Sequence, residues 1–415
     1  MSRDGFRRAG KPQISSDSSL NSRQNRSVFS LRPHKAQQSS NHTRSVKEQR
    51  TEDGGESQNF PSVIGTCPDM CPAKERAQRE QLRDLSIFER LNGDPRKTSP
   101  SLAVKKFCRT ISSQNIQPSD IRPLHVLQDT LKYLMNILHS SEYSYEVVHD
   151  FVFDRTRSIR QDLSMQNINN DQAIHMYEEM VKFYVISHNK LAKHGKSSNL
   201  MSLHYLNKEQ LVKSLVSLYD LYRMDEMSTS IRRKAAEFYS LYILLHLGSN
   251  SQSMGESLSI WLRHLPSPVL KSKEMSFARS ILRYVQIGNY LRFFRTIAAE
   301  ASDLQFYLLE PFINEVRAQA ISFINHGGYK LYPYPLADLS EILMMQESEL
   351  ESLCVACALE TWTDETGVQF LPTKQTSFCL PKEGFQQYSF SGLAPKASKS
   401  WKPRDDVMSM AKVAV

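Results

Sequence analysis

The chain has 415 residues, with Lys+Arg 52 against Asp+Glu 44, six cysteines and 15 glycines. That length allows two or three domains with a large core, and so few cysteines exclude a disulfide scaffold and suit a reducing compartment. Neither G-x-x-x-x-G-K-[ST] nor G-x-G-x-x-G occurs, so a nucleotide-phosphate cradle is not expected. The longest apolar run, Phe238 to Leu247, reaches about half a bilayer span. The first twenty residues carry Arg3, Asp4, Arg7, Arg8 and Lys11 without an apolar run, so the chain reads as soluble and intracellular, with no membrane insertion.

Residues 1–60 read as a disordered, basic, serine-rich tail. Residues 1–50 alone hold eleven Lys/Arg and three Asp/Glu, the whole formal excess of +8, with eleven serines and only Phe6 and Phe29 as aromatics. Such a segment cannot bury enough apolar surface to order itself. It suits nuclear import or loose polyanion contact, or a plain solvated linker.

A compact loop follows, "PSVIGTCPDMCPAKERAQRE" from Pro61 to Glu80, with helical character resuming at Ala73. From there to residue 325 the chain reads as successive amphipathic helices. Leu124, Leu127, Leu131, Leu134 and Leu138 step by three and four behind Pro123, which suits a helix start. Comparable stripes are Val148, Phe151, Val152, Ile159, Leu163; Met176, Met180, Phe183, Tyr184, Ser187; Leu211, Leu215, Leu218, Tyr222; Phe238, Leu241, Leu245; Ile281, Val285; and Leu304, Leu308, Phe312. Helices of about 15 residues with short breaks predict an all-α helical-repeat solenoid over 61–325. Within 326–382, two helices, Leu336–Met345 and Glu347–Leu359, precede a β-hairpin around the turn Asp364–Gly367. That order is the outline of a winged helix. Residues 383–415 read as a flexible basic tail, in which Trp401 is a lone docking aromatic.

The strings "GTCPDMCPAKERAQRE", "IRPLHVLQDTLKYLMNIL", "FVFDRTRSIRQDL", "EEMVKFYVISHNKLAKH" and "GNYLRFFR" resemble the SAC/GANP family of nuclear mRNA-export scaffolds. The resemblance covers about residues 62–390. It implies a PCI-type body, a TPR-like helical repeat ending in a winged helix, and membership of a TREX-2-like complex in the nucleus at its pores. The partners it implies are a second PCI-fold subunit, a small acidic DSS-type peptide, centrin and an ENY-type subunit. Cys67, Pro68, Asp69, Cys71, Pro72, Asp154, Arg155, Arg157 and Arg160 carry the signature, in a structural role. Larger members add phenylalanine–glycine repeats and a long centrin-binding helix; neither is evident here, which puts direct centrin and pore docking in question. A centrosome or spindle factor, and a proteasome-lid or initiation-factor-like subunit, are the alternative readings.

The residues themselves point away from chemistry. Cys67 and Cys71 are spaced C-x₃-C, half a zinc site without a second pair nearby, while Cys354 and Cys357 sit on a predicted core helix. No cofactor is expected. Pro68 and Pro72 are expected to stiffen a loop whose Asp69 accepts backbone N–H bonds at the first helix. Spacings of three and four allow Asp154 to pair with Arg157, and the interleaved carboxylates favour an ion-paired seam over a phosphate-binding arginine cluster. No H-E-x-x-H or G-x-S-x-G occurs, and no enzyme is expected. The second winged-domain helix carries Glu347, Glu349 and Glu351, an acidic face that disfavours duplex phosphates and suits a protein partner. Glu349 and Glu351 are therefore the candidate partner interface. Lys374, Lys382, Lys399 and Lys402, interleaved with aromatics, are the candidate contacts to single-stranded RNA.

Overall fold

The computed structural model describes residues 63–110, 117–139, 142–194, 198–223, 229–247, 257–381 and 385–391, all within one compact unit. The tail expected over 1–60, Lys382, and the chain from 392 onward, with Lys399, Trp401 and Lys402, lie outside the described residues. No helix among the described residues is long and apolar enough to cross a membrane.

Helix α1 (Ala73–Leu82) begins behind Pro72, where an absent N–H costs little, and ends where Arg83 turns left-handed at φ 55°. Residues 84–123 hold only short 3₁₀ turns among those described. Pro123 then opens α2 (Leu124–Ile137), whose buried side includes Leu127, Leu131 and Leu134 of the expected stripe. Four longer helices follow: α3 (Tyr145–Met165), α4 (Asp171–His194), α5 (Ser198–Tyr222) and α6 (Thr229–Leu244). After two short helices, α7 (Leu258–Arg263) and α8 (Ser267–Leu270), come α9 (Lys273–Gln286), α10 (Tyr290–Glu300) and α11 (Asp303–Gly327). Helices adjacent in sequence pack on one another from α2 to α6, α6 meets α9, and α11 returns across α4 and α6. Their apolar faces join in one continuous core from Val104 to Leu371.

Helix α11 carries Pro311 in its interior. A proline there has no N–H for the carbonyl four residues back, that of Tyr307. Asn189 of α4, almost fully buried, supplies the substitute: its Nδ2 donates to Tyr307 O at 3.0 Å and to Glu310 Oε2 at 2.7 Å. One side chain thereby repairs the helix and joins it to α4.

Beyond α11 the chain forms β1 (Tyr334–Pro335), α12 (Leu336–Leu343), α13 (Glu347–Ala356), β2 (Trp362–Thr363) and β3 (Gln369–Leu371). Both helices stop two or three residues short of expectation, where Met344 and Ala358 turn left-handed. The hairpin forms at the expected turn: Asp364 accepts N–H bonds from Thr366 and Val368 at 2.9 Å, and Gly367 takes φ 85°. Strand β1 was not legible beforehand. It pairs antiparallel with β3, Tyr334 opposite Leu371, giving the order β1-β3-β2. At the entry to this region a Cβ on Gly328 would lie 2.5 Å from Thr373 Cγ2, so only glycine allows that approach.

Asn189→Leu should orphan the Tyr307 carbonyl and cost about 1–3 kcal/mol. Adding Pro311→Ala restores the missing N–H and should recover part of the loss in urea unfolding. Strictly additive effects of the two substitutions would disprove the repair.

Candidate partner and nucleic-acid interface

The signature residues converge on α3, which organises the irregular segment before α2. Asp162 is fully buried and accepts Lys105 Nζ and Arg122 Nε, each at 2.7 Å. Arg122 also donates to Ser158 Oγ at 2.6 Å and to Met70 O at 3.3 Å. Two turns of α3 before Asp162, Arg155 reaches Glu89 at 3.0 Å, and Glu89 also holds Arg79 of α1. Arg157 pairs with Asp154 at 2.8 Å while lying over the rings of Phe107 and Phe153. Arg160 donates to Gln210 of α5 at 3.0 Å. These arginines are engaged inside the protein rather than displayed to a phosphate backbone.

Asp69 departs from the expected role. Its carboxylate takes Arg76 of α1 at 2.9 Å instead of capping N–H groups, because Pro72, three residues on, occupies the N-cap position. Cys67 and Cys71 are buried free thiols pointing at nearby carbonyls, Asp69 O at 3.2 Å and Pro72 O at 3.7 Å. Burial pushes Cys71 and Cys354 up to about 12 and Cys357 to about 11, so these sulfurs stay protonated and make poor nucleophiles or ligands. Among the described residues no group of His, Cys, Asp and Glu converges to hold a metal ion.

The C-terminal candidates are also partly engaged. Lys374 is exposed, but its ammonium donates to His326 O at the end of α11, where a cation complements the helix dipole. Its N–H donates to Asn325 O at 2.8 Å, and the Asn325 side chain pairs both ways with the Gln375 backbone. Glu349, in the first turn of α13, accepts the N–H of Ser389 at 2.9 Å and its hydroxyl. Burial acts to raise this carboxyl, but the bonds from Ser389 and Gln346 outweigh it and hold it below the usual range. Glu351 is half-buried on the same helix.

Ser389 belongs to a segment, 385–391, that was expected to be loose and is instead docked on the body. Phe390 packs with Phe294 and Phe306 at ring distances of 6.3 and 5.8 Å. Fully buried Arg317 of α11 donates to Leu343 O, Met344 O and Ser389 O at 3.1, 2.7 and 2.8 Å. Burial pulls that guanidinium down to about 10, which leaves it charged at neutral pH. Sequence reading missed the segment because a few aromatics without periodicity do not announce a docking partner.

Among the described residues, strongly exposed apolar side chains gather in the chain between α11 and β1. Tyr329, Leu331 and Tyr332 are 79, 86 and 76% exposed, around Lys330. Phe323 of α11 and Ile287, just beyond α9, are exposed as well, and Gly288 abuts the Phe323 ring. Tyr329, Leu331 and Tyr332 lie in the string "HGGYKLYPYP", 326–335, at the boundary between the two expected domains. Four large apolar side chains in a Gly/Pro-rich stretch with neither helical nor strand period were the available signal.

The fold is thus that of a predominantly helical protein with a small three-stranded sheet near its C-terminal end, whose signature charges join its own segments. The chain belongs to the SAC3/GANP family, which it matches over residues 70–363. It is 34% identical over 296 residues to SAC3 family protein B of Arabidopsis thaliana, a match covering 70% of this chain and 17% of that protein. The match to SAC3 family protein 1 of Schizosaccharomyces pombe is 29% over 303 residues, covering 68% and 28%. The match to protein xmas of Drosophila melanogaster is 26% over 339 residues, covering 77% and 16%. The chain spans less than a third of the length of each of these relatives.

Asp162→Asn leaves two cations buried without a counter-charge and should cost about 3–5 kcal/mol. Lys213→Ala, which breaks only the exposed pair with Glu209, should cost no more than about 0.5 kcal/mol. Denaturant unfolding of both variants tests the contrast.

Proposed function

We propose that this chain is a non-catalytic scaffold subunit of a TREX-2-like complex that couples transcription to nuclear mRNA export. Its family is a scaffold family rather than a catalytic one, and the relatives above support the export role. The helix-on-helix body and the β1-α12-α13-β2-β3 ending support a PCI-type repeat with a winged helix. Nuclear residence, at or near the pores, follows from the same reading.

The observation that carries this reading is the exposed apolar stretch Tyr329, Leu331 and Tyr332, with Phe323 and Ile287 exposed as well. Large apolar side chains exposed close together in the chain are a docking feature, and a second PCI-fold subunit is the partner proposed for them. Glu351, half-buried on α13, stays a candidate partner contact, whereas Glu349 is occupied by Ser389. A small acidic DSS-type peptide, centrin and an ENY-type subunit are further partners on this reading. Single-stranded RNA is an auxiliary ligand, drawn by residues 371–415 with seven Lys/Arg and three Asp/Glu.

Leu331→Asp with Tyr332→Asp should weaken binding of the second subunit at least about tenfold, or about 1.4 kcal/mol. The melting temperature should hardly move, since both side chains face water. Calorimetry with the reconstituted pair tests this; an unchanged affinity moves the interface elsewhere. A chain that co-purifies from cells with no other helical-repeat subunit sinks the scaffold reading itself.

For RNA, three or four phosphate contacts give a slope of log K against log salt of about −2 to −3. Alanine at Lys374, Lys382, Lys399 and Lys402 together should flatten it for all sequences alike. Lys374→Ala alone should change it least, because that ammonium already serves the end of α11. Unchanged salt dependence in the quadruple variant would remove RNA from the account.

A further inference from the structure

Helix α5 carries an apolar row outside its buried face. Asn207, Leu211, Leu215, Leu218 and Tyr222 are buried. A second line, Met201, Tyr205, Lys208, Val212 and Val216, steps by four, three, four and four. At 100° per residue this row lies roughly 100° from the centre of the buried face and runs about 22 Å along the helix. Met201, Tyr205 and Val216 are 64, 60 and 45% exposed, and Lys208 and Val212 are half-buried. The spacing is that of a helix–helix seam.

Lys208 sits at the middle of the row and is its one charge. Burial pulls its ammonium below the ordinary lysine value. Its near neighbours are bases: His204, one turn earlier, lies 2.8 Å from His188 of α4, and both imidazoles are held low by burial and by cationic neighbours. Glu209, the next residue in the chain, is committed to Lys213. Among the described residues Lys208 has no ion pair. A single lysine in an otherwise apolar seam fixes register and partner choice at some cost in stability. It also decides against a second copy of this chain: a self-pair centred on this row, parallel or antiparallel, sets Lys208 against Lys208.

We infer that this row of α5 is a docking seam for an amphipathic helix of a partner protein, with apolar residues at three–four spacing and a carboxylate facing Lys208. This surface is independent of the Tyr329 patch and of the export reading. A labelled synthetic helical peptide with leucines at that spacing and flanking glutamates, and its twin with lysines for the glutamates, probe the full chain by fluorescence anisotropy. The acidic peptide should bind at least about tenfold tighter than its twin, and Lys208→Glu should reverse the order. Tyr205→Asp with Val216→Asp should abolish binding without shifting the thermal melt. Equal binding of the twins, no binding of the acidic peptide at millimolar concentration, or undiminished binding by the double variant overturns the inference. So does a dimer in light scattering that Tyr205→Asp dissolves, which makes the occupant a second copy.

Discussion

Four successive backbone N–H groups, from Val104 to Phe107, are buried or half-buried with no strand beside them and must still be satisfied, because buried polar groups left unpaired are costly. Val104 donates to Glu89, Lys105 to Met70 O, Lys106 to Glu75, Phe107 to Asp154 and, next along the chain, Cys108 to Gln161. Side chains of α1, of α3 and of the 3₁₀ turn ending at Glu89, together with Met70 O of the loop, take the place of a neighbouring strand. Helix α3 is the template: Asp154 and Gln161 read the backbone, while Asp162 anchors Lys105 and Arg122. Rotating α3 by one residue would turn both sets away together. The irregular segment, the cysteine loop and the start of α2 all depend on that one helix face.

Helix α11 imposes a second constraint. Its first half is bound to α4 through Asn189 and Lys193, and its second half reaches the sheet region through Arg317 and Asn325. The helical body and the C-terminal elements therefore share one rigid member. Arg317 serves three carbonyls at once, from the end of α12, from Met344 and from the 385–391 segment. A guanidinium suits this task because its planar fork offers five N–H groups from a single charge.

The distribution of charge and apolar surface follows from these constraints and bears on function. Arginines that look available in the sequence are taken up in the α3 seam, and Glu349 is taken up by Ser389. Large apolar side chains, by contrast, face water in the Tyr329–Tyr332 stretch and along the outer row of α5. Surface of that kind is suited to holding other proteins.

Local patterns were readable from the amino acids alone. The three–four stripes predicted the helices because side chains one turn apart share a face whatever surrounds them. Asp364 and Gly367 predicted the hairpin because the turn is closed by atoms within five residues. The resemblance carried by "CPDMCP" and "FVFDRTRSIRQDL" was equally legible, since it resides in contiguous strings. Tertiary structure alone decided that Asp69 would meet Arg76, that Asp162 would sit between Lys105 and Arg122, and that β1 would join β3. It also decided that Phe390 would reach Phe294 and Phe306. Each of these contacts joins residues whose own neighbourhoods are compatible with several partners, and only the packing of helices from distant parts of the chain selects one.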